Sequence, residues 1–358
     1  MTEKPDSPTE MPDVLNDMLR AVRLTGAVFF SGRYTAPYGI KSPKQFDPSM
    51  PAAHLRHISI FHLLTAGTCM FESASGTRRR LTAGDLLLIP FADAHQFWEG
   101  DDVYIVPVEN TVRQGNHPGL WTSDHGGGGP ETRLICGLLE SSEFLAMPLF
   151  RTLPEFLIAR PGDFKAGELV IATVRDIMTL VDAASPGADI MLGRMMEILF
   201  IEMLRRHASS LPPDSKGLLA AMNDPIVGQA LKLVHAEPAR HWTVYSLARE
   251  SGASRTVLTE RFNALLGRPP IDYVIGWRIQ LAAERLRNGR DPIAKIAADV
   301  GYDSEAAFGR AFKRVTGLSP GRWRDGAGDS PGLMPLQFKT PLGPVPDGAE
   351  LISSSEPT

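Results

Sequence analysis

Four side chains in the first 140 residues have the chemistry of a metal or redox centre: His62, Cys69, His95 and Cys136. Cysteine and histidine in tetrahedral arrangement suit zinc, so one reading of the set is a zinc site. Two thiols whose Cα atoms come within about 7 Å can form a disulfide instead, which makes Cys69 and Cys136 a redox pair in the second reading. In the third, both thiols are inert and pack as small apolar groups. The residue types leave all three open. They do exclude a disulfide scaffold, because 358 residues hold only 2 cysteines.

A different chemistry is concentrated at the other end of the chain. The net charge is −4. Between Lys232 and Gly326, however, 16 Lys plus Arg face 10 Asp plus Glu, so that segment is +6 and the remainder is −10. A basic module joined to an acidic one points to a polyanion partner for the basic module alone. The hydrophobic fraction of 43% and charged fraction of 22% describe a globular protein. No apolar run approaches the roughly 20 residues that cross a bilayer. The opening "MTEKPDSPTEMPD" lacks the apolar core of a secretory signal, so the expected location is the cytoplasm.

The elements that must position these groups follow from punctuation and period. Residues 1–12 read as disordered. Residues from about 13 to 135 hold short apolar runs, "HISIFHLL" and "DLLLIP" among them, broken by Gly and Pro, which favours strands. From Ser141 to Leu211 the period becomes helical, as in "ELVIATVRDIMTLVDAA". Residues 212–223 read as a linker, 224–326 as helical throughout, and 327–358 as a flexible tail rich in Gly, Pro and Ser.

Within the helical segment the same object occurs twice. Ser254 and Ser304, Leu258 and Phe308, Phe262 and Phe312, Gly267 and Gly317, and Pro270 and Pro320 each lie fifty residues apart. In the first copy Thr243 and Ser254 are placed to cap two helices, with Gly252 at the turn between them. In the second, Asp291 caps, Pro292 takes the first helical position, Gly301 turns and Ser304 caps. Each copy reads as a helix-turn-helix. The segment "PPIDYVIGWRIQLAAERLRNG" between them reads as one long helix of about 28 Å. Two reading helices on such a spacer would sit about 34 Å apart, one turn of DNA.

The segments "R-x-x-x-A", "I-A-x-I-A-x-x-x-G-Y", "F-x-R-x-F-K" and "G-x-S-P" resemble the DNA-binding domain of AraC-type bacterial transcriptional regulators, over Asp224 to Arg324. Upstream, "MLRAVRLTGAVFF", "APYG", "FHLLTAGTC", "LTAGDLLLIPFADAH" and "TRLICG" resemble the cupin-type ligand domain of one branch of that family. The resemblance implies an α+β chain of two domains: a cupin-like β-barrel with helices over 13–211 for sensing and dimerisation, then an all-α double helix-turn-helix over 224–326. It implies a homodimer on double-stranded DNA, a small-molecule effector and, for an activator, contact with RNA polymerase.

Matched positions assign Thr256, Thr259, Glu260 and Asn263 to base reading in the first head, with Arg255 and Arg261 near phosphates. In the second head they assign Glu305, Ala306, Gly309 and Arg310, with Lys313 and Arg314 near the backbone. Ala306 and Gly309 offer few hydrogen bonds, so that head is expected to read less. Metal-binding cupins carry a His-x-His and a Glu that His54, His57 and His62 do not reproduce. A cupin enzyme with a helical appendage is therefore the alternative reading, and no cofactor other than zinc is implied.

Overall fold

The computed structural model describes residues 14–22, 25–42, 58–101, 103–115, 121–140, 153–163, 167–183, 188–212 and 214–326. His54, His57 and the expected disordered termini lie outside that set.

The N-terminal half is β-rich. Helix α1 (Val14–Val22) precedes β1 (Thr25–Thr35), β2 (Tyr38–Ser42), β3 (Ile58–Ala66), β4 (Thr68–Glu72), β5 (Arg78–Thr82), β6 (Leu86–Ile89) and β7 (His95–Glu99). Then come β8 (Ile105–Pro107), β9 (Val112–Gln114), β10 (Trp121–Gly126), β11 (Glu131–Glu140) and β12 (Leu157–Ala159). The expected barrel is two sheets rather than one closed ring. Seven strands run in the order β12-β6-β3-β11-β1-β10-β9, and five in the order β5-β4-β7-β2-β8. The chain turns from one sheet to the other at Gly67, with φ +76°. A Cβ there would fall 2.1 Å from the Glu131 carbonyl oxygen, so only glycine fits the corner.

Strand β3 shows why the helices are needed. It is buried on both faces. Ile60 and Leu64 join the core between the sheets, whereas Phe61 and Leu63 join a separate core on the opposite face. That second core is supplied by α2 (Gly167–Ala183) and α3 (Ala188–Ser209). Phe61 meets Phe200 of α3 edge-on at 6.2 Å. A strand covered on both sides reads as a continuous apolar run, which is what "ISIFHLL" is.

The C-terminal half is helical: α4 (Leu218–Asn223), α5 (Val227–Ala236), α6 (Val244–Glu250), α7 (Arg255–Leu266), α8 (Pro270–Asn288), α9 (Ile293–Asp299), α10 (Glu305–Thr316) and α11 (Pro320–Arg324). The expected linker over 212–223 is shorter than its composition suggests. Its last six residues form α4, whose Leu218 and Ala221 are buried in the first helix-turn-helix core.

Both repeats fold as their spacing predicts. Thr243 and Ser246 form a reciprocal capping box on α6. Ser254 and Ser304 accept the backbone N–H groups of Val257 and Ala307. Gly267 and Gly317 end α7 and α10 in the left-handed conformation. One cap differs. Asp291 does not cap α9, where Pro292 takes the cap position. Its carboxylate is drawn off by Lys295 at 3.0 Å and Arg285 at 3.1 Å.

Helix α1 belongs in space to the C-terminal half. Val14 and Met18 are buried in one core with Leu231, Tyr273 and Trp277. The Asp17 carboxylate accepts from Nδ1 of His235 at 3.3 Å. Nε2 of His235 then accepts from the Tyr273 hydroxyl at 2.8 Å, and its ring stacks on Trp277 at 3.9 Å. Burial holds His235 below the usual histidine range, against the opposing pull of Asp17. The imidazole is therefore neutral, and its two nitrogens join α1 to α8.

Candidate nucleic-acid interface and sensor cavity

Caps and cores fix which faces of α7 and α10 are free. Leu258 and Phe262 turn one side of α7 inward, and Phe308 and Phe312 do the same for α10. Arg255, Thr256, Glu260, Arg261 and Asn263 stand exposed on the first helix, with Thr259 half-buried beside them. Glu305, Ala306, Arg310, Lys313 and Arg314 stand exposed on the second, with Gly309 half-buried. All twelve residues expected at DNA thus lie off the core-facing side. A Cβ built on Gly309 would meet nothing within 4 Å, so its surroundings do not demand glycine.

The charges on these helices are not equivalent. Asp224 spends one carboxylate oxygen on the N–H groups of Ile226 and Val227 and the other on Nη1 of Arg261, at 2.6 Å. Arg261 is therefore already neutralised. Among the described residues Arg255, Arg310, Lys313 and Arg314 form no ion pair, and these four cations are left for a polyanion.

In the β domain, three of the four expected ligands meet. His62, in the register of β3 opposite Cys136 of β11, places Nδ1 2.8 Å from the Cys136 sulfur. Its Nε2 is 2.8 Å from Nε2 of His95, whose Nδ1 is 2.8 Å from the Asp93 carbonyl oxygen. A carbonyl only accepts, so Nδ1 of His95 carries a proton and donates. With both rings neutral, every other position follows. Nε2 of His95 accepts from Nε2–H of His62, and Nδ1 of His62 accepts the Cys136 S–H. Burial supports these forms: His62 is pushed well down by burial and by His95, and His95 is pushed down to about 4. Burial also pushes the Cys136 thiol up.

Cys69 stands apart, on β4 in the other sheet. It is buried beside Tyr38 and pushed up to about 12, chiefly by burial. Both cysteines are free. Tyr34 shares a cavity with Cys136, and its ring stacks on that of Tyr38 at 5.0 Å. The residues do not fit a zinc centre. Each nitrogen of His62 has a separate partner, Cys69 is not with the other three, and among the described residues no group of three or more His, Cys, Asp or Glu side chains could hold a metal ion. The thiols are also in the un-ionised form, which is the poor nucleophile.

The arrangement is instead one wall of a cleft partly open to solvent. Phe30, Ile40, Ile60, Phe97, Val108 and Leu134 give it apolar walls, and His62, Cys136, Tyr34 and Ser42 give it polar groups. Sequence reasoning found His62, His95 and Cys136. It missed the cavity, the Asp93 carbonyl, and the docking of α1, none of which has a local signature.

A β-rich domain joined to two capped helix-turn-helix units defines a class of two-domain, helix-turn-helix proteins. The family model described as cupin matches residues 13–209, and one described as a helix-turn-helix domain matches residues 247–326. An AraC-like transcription regulator of Streptomyces antibioticus is 45% identical over 127 residues, covering 36% of this chain and 42% of that protein. The match thus spans less than half the length of that relative. The HTH-type transcriptional regulator AlkR of Acinetobacter baylyi is 30% identical over 274 residues, covering 74% of this chain and 87% of AlkR. Among solved structures, unsaturated fatty acid bound ToxT from Vibrio cholerae aligns over 85% of this chain and 94% of its own at 13% identity, with a TM-score of 0.32. The chain belongs to the cupin-bearing AraC-type helix-turn-helix regulators.

Proposed function

We propose that this protein is a sequence-specific regulator of transcription that grips duplex DNA through α7 and α10 and answers to a small molecule in its β domain. The observation that carries the reading is the pair of serine-capped helices with unpaired cations on their free faces. In this reading Arg310 takes guanine O6 and N7 by its forked donors, and Glu260 and Glu305 suit cytosine N4. Thr256, Thr259 and Asn263 complete the first reader. Lys313, Arg314 and Arg255 neutralise phosphates, and Arg261 adds little because Asp224 holds it. The test is a duplex selected from a random pool by the full chain. Arg310→Ala is expected to relax preference at one base pair and cost about 1–3 kcal/mol there. If it instead weakens every duplex alike, Arg310 is a phosphate contact.

The effector fits the cavity by chemistry: a small, mainly apolar molecule with one hydrogen-bonding group for Tyr34 or Ser42, since both nitrogens of His62 are taken. A physical route to the heads supports this. Phe30 and Tyr34 line the cavity from β1, β1 starts three residues after α1 ends, and α1 is seated in the first helix-turn-helix core.

The working unit in this reading is a cytoplasmic homodimer, with RNA polymerase as a further contact if it activates. Among the described residues no helix is long and apolar enough to cross a membrane. Leu169 and Ile171 of α2 and Ile190, Met191 and Ile198 of α3 are exposed, Ile190 at 68%. A second copy would cover them. Sedimentation at micromolar concentration is expected to give twice the chain mass of 39.0 kDa, and a monomer would remove the dimer from the proposal.

A further inference from the structure

We infer that Arg278 is a positioning residue that sets the spacing between the two DNA segments the protein accepts. This rests on the reading of the chain as a DNA-binding regulator.

Arg278 lies near the middle of α8, the helix that separates the two heads. Its guanidinium donates in two directions. Nε donates to the Pro238 carbonyl at 2.7 Å, and Nη2 to the carbonyls of Arg240 at 2.8 Å and Ala239 at 3.4 Å. These three belong to the turn that leads into the first helix-turn-helix. Nη1 donates to the Gly301 carbonyl at 3.0 Å, at the turn inside the second. The two turns touch: a Cβ on Gly301 would lie 2.5 Å from the Ala239 carbonyl oxygen. The contact continues into the first head. Arg240 accepts from Arg278 through its backbone, and its side chain holds Glu250, the last residue of α6, at 2.6 Å.

The acceptors explain the residue type. All four are carbonyls. Burial lowers Arg278 from the usual arginine range, while Tyr302 and Asp303 favour its charge. A guanidinium keeps its charge there and offers five donors fixed in one plane. A lysine has one nitrogen and cannot span both turns. Apolar packing on α8 can hold each head, but it is non-directional. The directional bonds of Arg278 fix one head against the other.

Two heads in successive major-groove segments tolerate little change in their separation, since one base pair alters both distance and rotation. The experiment uses the full chain, a duplex it selects from a random pool, and duplexes with one or two base pairs inserted between the two segments that footprinting locates. The wild-type chain is expected to lose affinity more than about tenfold on one insertion. Arg278→Lys and Arg278→Ala are expected to lose less than about threefold between the same duplexes, with weaker binding to the best one. Ile279→Ala, a destabilising change on the same helix, is expected to keep the wild-type spacing preference, which separates positioning from stability. Arg278 variants with undiminished spacing preference would overturn the inference. So would an Ile279→Ala variant that flattens it equally. A wild-type chain that selects no duplex would instead overturn the proposed function.

Discussion

Raising salt from about 50 to about 200 mM is expected to weaken the binding of each chain to its DNA about a hundredfold. The size follows from a count of free cations rather than from net charge. Of the basic groups in the C-terminal half, Arg240 is held by Glu250, Arg261 by Asp224, and Arg285 by Asp291 and Asp299. Arg278 is spent on carbonyls. Arg255, Arg310, Lys313 and Arg314 remain on the two recognition helices. Each phosphate neutralised contributes about 0.9 to the slope of log affinity against log salt, so four contribute about 3.6. Titrations at several salt concentrations measure that slope directly. Arg314→Ala is expected to reduce it by about 0.9. An affinity that stays flat would mean that these cations do not meet phosphates.

Phe312→Ala is expected to destabilise the C-terminal half by about 3–5 kcal/mol, enough to remove the second head from use. Phe312 is completely buried. Its ring meets Phe308 at 5.4 Å and stands edge-on to Trp323 at 5.7 Å. Trp323 in turn donates its indole N–H to the Ala283 carbonyl, which ties α11 to the spacer helix. Truncation leaves a cavity that these rigid rings cannot fill by sliding. Urea unfolding measures the change. A shift below about 1 kcal/mol would mean that the site relaxes and closes over the gap.

The features of the fold legible in the sequence are those fixed by local chemistry. Ser254, Ser304, Gly267 and Gly317 announce helix ends because capping and left-handed turns need particular residue types at particular offsets. The phenylalanines between them repeat because each helix must bury one stripe. Asp291 misleads because its side chain had two uses: a cap satisfies a backbone donor, but Lys295 and Arg285 offer full charges. The short linker misleads because a Pro-rich start hides an apolar six-residue helix behind it. Of the β-domain site, the residue types were visible and their grouping was not. Which strands lie side by side sets that His62 faces Cys136 and that Cys69 sits in the other sheet, and no spacing along the chain encodes it. The clamp at Arg278 had no signature in the sequence, since its partners are carbonyls, which every residue has.

The seating of α1 has a consequence for how the protein is made. Asp17 and His235 are 218 positions apart, and Trp277 lies further still along the chain. A ribosome adding about 5–20 residues per second needs about 13–50 s to travel from α1 to the residues that receive it. During that interval Val14 and Met18 have no permanent home, while the β strands that follow them can already pair. Closing so long a loop adds little to its entropic cost, which grows only with the logarithm of length. It does set the order of events: α1 leaves the ribosome before the β strands that follow it yet is seated after them, and the first reading head is finished only when α1 and α8 have met.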